Sequence, residues 1–190
     1  MNAVTKPTLY QQLIDLPEHV NGEILNGQLY AQPRPSGLHG AAERGLNIDL
    51  GGPFDFGRGG PGGWWIIPEP EVHFVRDIEV AVPDLAGWRR ERMPRIPEGH
   101  RFEVVPDWLC EILSPSTMKK DRAVKLPVYA RYGVAHVWLA DPHARTLEAY
   151  ALQQDGWLLL ATLKDDDAVS LPPFDAVSFS LADLWAETPA

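Results

Sequence analysis

A chain of 190 residues and 21.2 kDa, 45% hydrophobic and 23% charged, has the size and composition of one globular domain. Its formal charge of −9, from 17 Lys and Arg against 26 Asp and Glu, excludes a broad non-specific coat on nucleic acid, which needs clustered cations, but not a local site. One cysteine, Cys110, excludes an internal disulfide and a cysteine-based zinc cluster; no apolar run approaches the ~18 residues of a membrane span, and the N-terminus lacks a signal peptide's apolar core, so a soluble cytoplasmic protein is expected.

In chain order, residues 8–15 (TLYQQLID) predict a short helix capped by Thr8. Residues 22–32 predict a hairpin, because Ile24-Leu25 and Leu29-Tyr30 flank the turn dipeptide Asn26-Gly27. Residues 37–50 are weakly helical. The segment 51–63 (GGPFDFGRGGPGG) holds seven glycines and two prolines and reads as a loop or linker. It lacks the Lys-Ser/Thr ending of a phosphate-binding P-loop. Residues 64–75 are strand-like but interrupted by Pro68 and Pro70, and 78–82 predict another strand, ending in Pro83-Asp84-Leu85. Residues 88–107 read as a polar connection.

WLCEIL (108–113) is apolar on both faces, as in a central strand. SPST (114–117) ends it and can start a helix over 118–132, with a kink or a fresh start expected at Pro127. VAHVWLA (134–140) predicts a second buried strand. Residues 146–152 and 157–163 predict a hairpin around QQDG, and FSLADLW a closing strand and short helix. The order points to an α/β or α+β fold with a mixed central sheet.

Only the block 84–125 is net basic, with nine cations against seven anions. Within it, WRRERMPR is either a solvated loop or a phosphate-contacting rim, in which case Arg89, Arg90, Arg92 and Arg95 would border the active face.

The candidate chemistry lies in the same block. Strand alternation puts Glu111 on one face with Leu109 and Leu113, while Trp108, Cys110 and Ile112 face the other way. A carboxylate among such neighbours is costly unless it meets a cation, either a structural arginine or a metal. Asp84 is either a turn-capping aspartate or an acid beside Glu111 across the ladder. Asp107, four residues along the same strand, is ~13 Å from Glu111 and too far to share an ion. Lys125 either pairs with Asp121 on a helix surface or overhangs the sheet end above the two acids. His136, in an apolar strand, is expected to be a satisfied core histidine. Two carboxylates and a lysine are sufficient to hold Mg²⁺, which would polarise a phosphate and make a bound water more acidic, and to position that water.

The stretches NGEILNGQL (21–29), PRPSGLH (33–39), VPDLAGW (82–88) and the long run from Pro106 to Tyr150 resemble the Uma2 family of restriction-endonuclease-like proteins, over about residues 8–185. The resemblance implies a PD-(D/E)XK nuclease-like fold spanning the chain as one domain. It implies Asp84 as the first motif acid and Glu111 as the second, both metal ligands. The usual motif lysine position is Leu113 here, and the resemblance moves that role to Lys125 on the following helix. Glu23 matches an additional acid, Ser114, Ser116 and Asp121 match supporting positions, and His39 matches a position able to face the cleft. The function so implied is Mg²⁺-dependent cleavage of DNA (Mn²⁺ substituting). A non-catalytic binding module on the same fold and a hydrolase of small phosphorylated molecules are the alternatives. Seven tryptophans, with Trp157 in a predicted edge strand, add the expectation of a homodimer.

Overall fold

The computed structural model describes residues 6–33, 35–154 and 156–186; Arg34 of PRPSGLH and Asp155 of QQDG lie outside the described residues. Helix α1 (Leu9–Ile14) starts at Thr8, whose side chain accepts from the Gln11 N–H. Strands β1 (Val20–Leu25) and β2 (Gln28–Pro33) form the expected hairpin. Asn26 and Gly27 both have positive φ, 53° and 72°, as a primed two-residue turn requires. Helix α2 (Gly37–Leu50) begins at Ser36 and runs into a π-turn, Gly51–Asp55. The first five residues of the expected loop therefore extend the helix, because Phe54 is buried against the core and anchors them there.

Strand β3 (Trp64–Pro68) and β4 (Glu71–Val75) lie in different sheets. Pro68 and Pro70 lack the N–H a ladder needs, and the chain changes sheet between them. β5 (Glu79–Ala81), β6 (Leu85–Arg89), β7 (Arg101–Phe102) and β8 (Trp108–Ile112) follow. β6 lies within the segment expected to be turn and connection. Next comes α3 (Met118–Lys120), then a second π-turn (Asp121–Lys125), then α4 (Leu126–Arg131), with Pro127 in its first turn. An α-helical bond from residue 127 to residue 123 is unavailable to proline. The Leu126 N–H bonds Asp121 O instead, so the helical path widens where the sequence predicts an interruption.

The last elements are β9 (His136–Asp141), β10 (Thr146–Gln153), β11 (Gly156–Lys164), β12 (Ala168–Val169), β13 (Phe179–Ser180) and a 3₁₀ turn, Leu181–Leu184. A six-stranded sheet runs β11-β10-β9-β8-β6-β3, with β8 and β9 parallel and the other pairs antiparallel. A five-stranded sheet runs β2-β1-β5-β4-β7. The fold is thus mixed α+β with a mixed central sheet.

The central sheet is buried on both faces. Trp108, Cys110, Ile112 and Trp138 pack with Ala42, Leu46 and Leu50 of α2 and with Leu181 and Leu184. Leu109, Leu113, Val137 and Leu139 pack with Val128 and Tyr129 of α4 and with Leu25 and Val72 of the other sheet. The alternation read from WLCEIL is the alternation observed. Five of the seven tryptophans are buried, three of them ringed around Phe174, so the core uses more tryptophan than the sequence reading allowed. β11 ends the sheet, and its Leu158, Leu159 and Leu160 are exposed.

α2 meets the 3₁₀ turn so closely that a Cβ on Gly45 would lie 2.7 Å from Asp183 O. One turn further along, burial, with a smaller push from Asp183, raises the Asp49 carboxyl to about 6. A carboxyl with a raised native pKa binds its proton more tightly folded than unfolded, so it favours folding at low pH and loses that contribution as pH rises through about 4 to 6. Asp49→Asn should flatten the stability profile across that window and be more stable than the parent at pH ~7, read by urea denaturation at a series of pH values. An unchanged profile would rule out this coupling.

Candidate active site

The register of β6 against β8 pairs Leu85 with Cys110, so Asp84, one residue earlier, stands opposite Glu111 at the sheet end. Its Oδ2 accepts the Ile112 N–H at 2.6 Å, and its Oδ1 meets His39 Nε2 at 3.0 Å. Glu111 is 2% exposed and points to the face covered by the helical segment 118–131. There Lys125 Nζ donates to Glu111 Oε2 at 2.8 Å, and the Tyr129 hydroxyl donates to Oε1.

Lys125 is 1% exposed, and its other donors go to Glu23 Oε1 at 2.9 Å and Val82 O at 3.2 Å. The surface pairing with Asp121 that the sequence left open is therefore excluded. Lys125 nonetheless does not overhang an open site: an ammonium has three N–H groups, and here all three are satisfied inside the protein. Glu23, wholly buried, also accepts the Val82 N–H at 2.9 Å, and its Oε2 accepts from Lys120. Lys120 in turn donates to Gln32 Oε1 at 2.9 Å.

The resulting chain of charges is Lys120, Glu23, Lys125, Glu111, with Asp84 beside its last member. Burial, followed by Asp84, Asp121 and Glu23, pushes the Glu111 carboxyl well up against the opposing pull of Lys125. Burial alone would lower Lys125, but Glu111 and Glu23 hold it well above the ordinary lysine value. For Glu23, burial raises and the two lysines outweigh it, so its carboxyl sits below the ordinary value. Asp121, 3% exposed, is raised by burial against the pull of Lys125 and Lys120. Burial is the first cause of the rise at Glu111 and Asp121, whereas at Lys125 the acids Glu111 and Glu23 outweigh burial.

A cavity of about 700 Å³ opens at Asp84. His39, Glu69, Gln32, Ser114 and Ser116 are among its walls, and no lysine or arginine lines it among the described residues. Ser114 Oγ lies 3.0 Å from both Ser116 Oγ and Thr117 Oγ1, forming a hydroxyl cluster at the wall. Glu111 and Lys125 do not line the cavity; they lie behind Asp84.

Among the described residues no group of three or more His, Cys, Asp and Glu has metal-binding geometry, so a zinc-type site does not fit. Asp84 and Glu111 are the hard oxygen donors that Mg²⁺ takes, one or two carboxylates with its waters kept; Asp84 lines the cavity, while the Glu111 oxygens accept from Lys125 and Tyr129.

The arginines belong elsewhere. β6 runs away from Asp84, and Arg89 ends it about 17 Å off at ~3.3 Å per residue. Arg89 stacks on Trp64; Arg90 stacks on Trp65 and binds Asp55 at 2.8 Å. Arg92 binds Asp107 at 2.8 Å, and Arg95 is exposed. Sequence adjacency to Asp84 suggests a rim, but an intervening strand carries Arg89, Arg90 and Arg92 to the far end of the sheet. His136 is corrected too: its Nδ1 is buried without a partner. Cys110 faces away from the site, and burial pushes its thiol well up.

Tyr129 and Lys120 were not singled out from the sequence. Tyr129 follows Lys125 by four residues on one helix face, a spacing that could have found it. Lys120 precedes Lys125 by five, which an α-helix would place on a different face; only the π-turn brings both to Glu23.

The model of the family Uma2, described as "Putative restriction endonuclease", matches residues 7–182. The chain belongs to the Uma2 family. A crystal structure described as a putative nuclease belonging to DUF820, from Anabaena variabilis ATCC 29413, is similar in fold. It superposes with a TM-score of 0.70 and 24% identity, covering 94% of this chain and 97% of that one. A search of curated proteins gave no match. The Uma2 match spans every element that builds the site, from Glu23 in β1 to Tyr129 in α4. No described helix is long and apolar enough to cross a membrane.

Proposed function

We propose that this Uma2 protein is a Mg²⁺-dependent endonuclease that hydrolyses DNA phosphodiester bonds. The observation that carries the reading is the facing pair: Asp84, which lines an open cavity, and Glu111, buried behind it and held by Lys125 at 2.8 Å. Asp84 and Glu111 would hold the ion, which when bound polarises a phosphate and makes a bound water more acidic. The Ile112 N–H and His39 fix the Asp84 carboxylate from two sides. Lys125 acts through Glu111, orienting it and favouring its ionised form. Ser114 and Ser116 supply hydroxyl donors at the cavity wall.

The test is incubation of supercoiled plasmid with the protein and Mg²⁺. Nicking or linearisation that EDTA abolishes is expected, and Asp84→Asn should lower the rate by on the order of 100-fold, the scale of a lost electrostatic contact in a transition state. A protein that binds Mn²⁺ but cleaves no plasmid would instead be the non-catalytic module. Cleavage that survives EDTA would remove the metal from the reading.

A further inference from the structure

We infer that Lys120, not Lys125, is the lysine that touches a phosphate of the bound nucleic acid, by exchanging its Gln32 partner for a phosphate oxygen. The inference rests on the nuclease reading for what enters the cavity. Lys125 has no donor to offer, since Glu111, Glu23 and Val82 take all three of its N–H groups and it is 1% exposed. Lys120 differs in each respect. Its side chain is 13% exposed, and its partners among the described residues are two, Glu23 and Gln32. An ammonium with two partners keeps a third N–H.

Gln32 is the decisive neighbour. It is a wall of the cavity that reaches Asp84, so the ammonium bonded to its Oε1 lies directly behind that wall. The amide oxygen is a neutral acceptor, whereas a phosphate oxygen carries negative charge and adds a Coulombic attraction to the ammonium that the amide lacks. Glu23 stays bonded to Lys120 throughout and tethers it at the site. The need for such a cation is visible in the wall itself, which carries Asp84 and Glu69 but neither lysine nor arginine among the described residues. Among the described residues that line the cavity, the groups able to carry positive charge are His39 and His143, and Lys120 would add an ammonium to them.

Lysine labelling by reductive methylation, read by mass spectrometry on the full chain, tests this directly. The probe is a short DNA duplex, with Ca²⁺ replacing Mg²⁺. Without DNA, Lys120 should react more slowly than its exposed neighbour Lys119 and much faster than Lys125. With the duplex, Lys120 labelling should fall about tenfold while Lys119 is unchanged. Lys120→Met should weaken duplex binding about tenfold and reduce the salt slope by about one contact, with Lys120→Arg recovering both. Labelling of wild-type Lys120 keeps the inference falsifiable if Lys120→Met fails to fold. Unprotected Lys120 in a protein that cleaves DNA overturns the inference and leaves the nuclease reading intact. Protection in a protein that never cleaves supports the phosphate contact and overturns the nuclease reading. No duplex binding at all overturns both.

Discussion

Glu111→Gln should abolish Mn²⁺ binding, measured by titration calorimetry, while leaving a folded protein by circular dichroism. The amide keeps the shape of the carboxylate; its oxygen can still accept from Lys125 and its NH₂ can donate to the Tyr129 hydroxyl oxygen, so the packing of β8 against α4 is preserved. What it loses is the charge facing Asp84. One remaining carboxylate is a poor Mg²⁺ or Mn²⁺ site, because these hard ions hold on to their water. Lys125 also retains Glu23, so the substitution does not strand a buried cation. Breaking a buried ion pair outright costs about 3–5 kcal/mol. This change should cost less, within the ~5–15 kcal/mol stability of a domain. Mn²⁺ affinity equal to wild type would take Glu111 out of the metal site.

Lys125→Ala should destabilise the protein by about 3–5 kcal/mol, because Glu111 and Glu23 would be left buried without the cation between them. A helix-surface pair would contribute only ~0.3–0.5 kcal/mol, so urea denaturation separates the two placements clearly. The sign of the pH response follows from the same geometry. Removing the lysine removes the main opposition to the rise of the Glu111 carboxyl, so its native pKa climbs further. A carboxyl held higher in the native state than unfolded favours folding at acid pH and loses that contribution as pH rises through its native value. The deficit of the variant relative to wild type should therefore shrink towards acid pH. At a temperature where the variant stays folded, DNA cleavage should fall 100-fold or more, the scale of a lost electrostatic contact. Mn²⁺ should still bind, since both carboxylates remain. A stability loss below ~1 kcal/mol would contradict the burial that defines the site. Normal cleavage by the folded variant would make Lys125 structural only.

The local signals were legible where the chain's own chemistry sets the geometry. Asn26-Gly27 dictates a primed turn because only such residues accept positive φ there. The alternation in WLCEIL assigns Glu111 and Cys110 to opposite faces because strand side chains alternate whatever packs on them. Pro127 requires a break in helical bonding because it has no N–H. From these alone follow the buried strand, its odd carboxylate and the interrupted helix after it.

Tertiary structure decided the rest. The sequence reading ends a strand at Pro83-Asp84-Leu85 and begins a connection at Trp88, so no strand is assigned over LAGWR. It is an internal strand because a side chain at Gly87 would press on Trp108, Ile66 and Trp64 at 3.2–3.3 Å, so glycine is what lets the tryptophans pack there. That strand carries Asp84 to Glu111 and takes Arg89 to the far end, which sequence adjacency alone reads the other way. The partners of Lys125 come from β1, β8 and the residues before β6, remote in the chain. Charge on a helix says only that a lysine is present. Which acids enclose it, and how much donor capacity they leave, depends on how the π-turn aims Lys120 and Lys125 at Glu23 together.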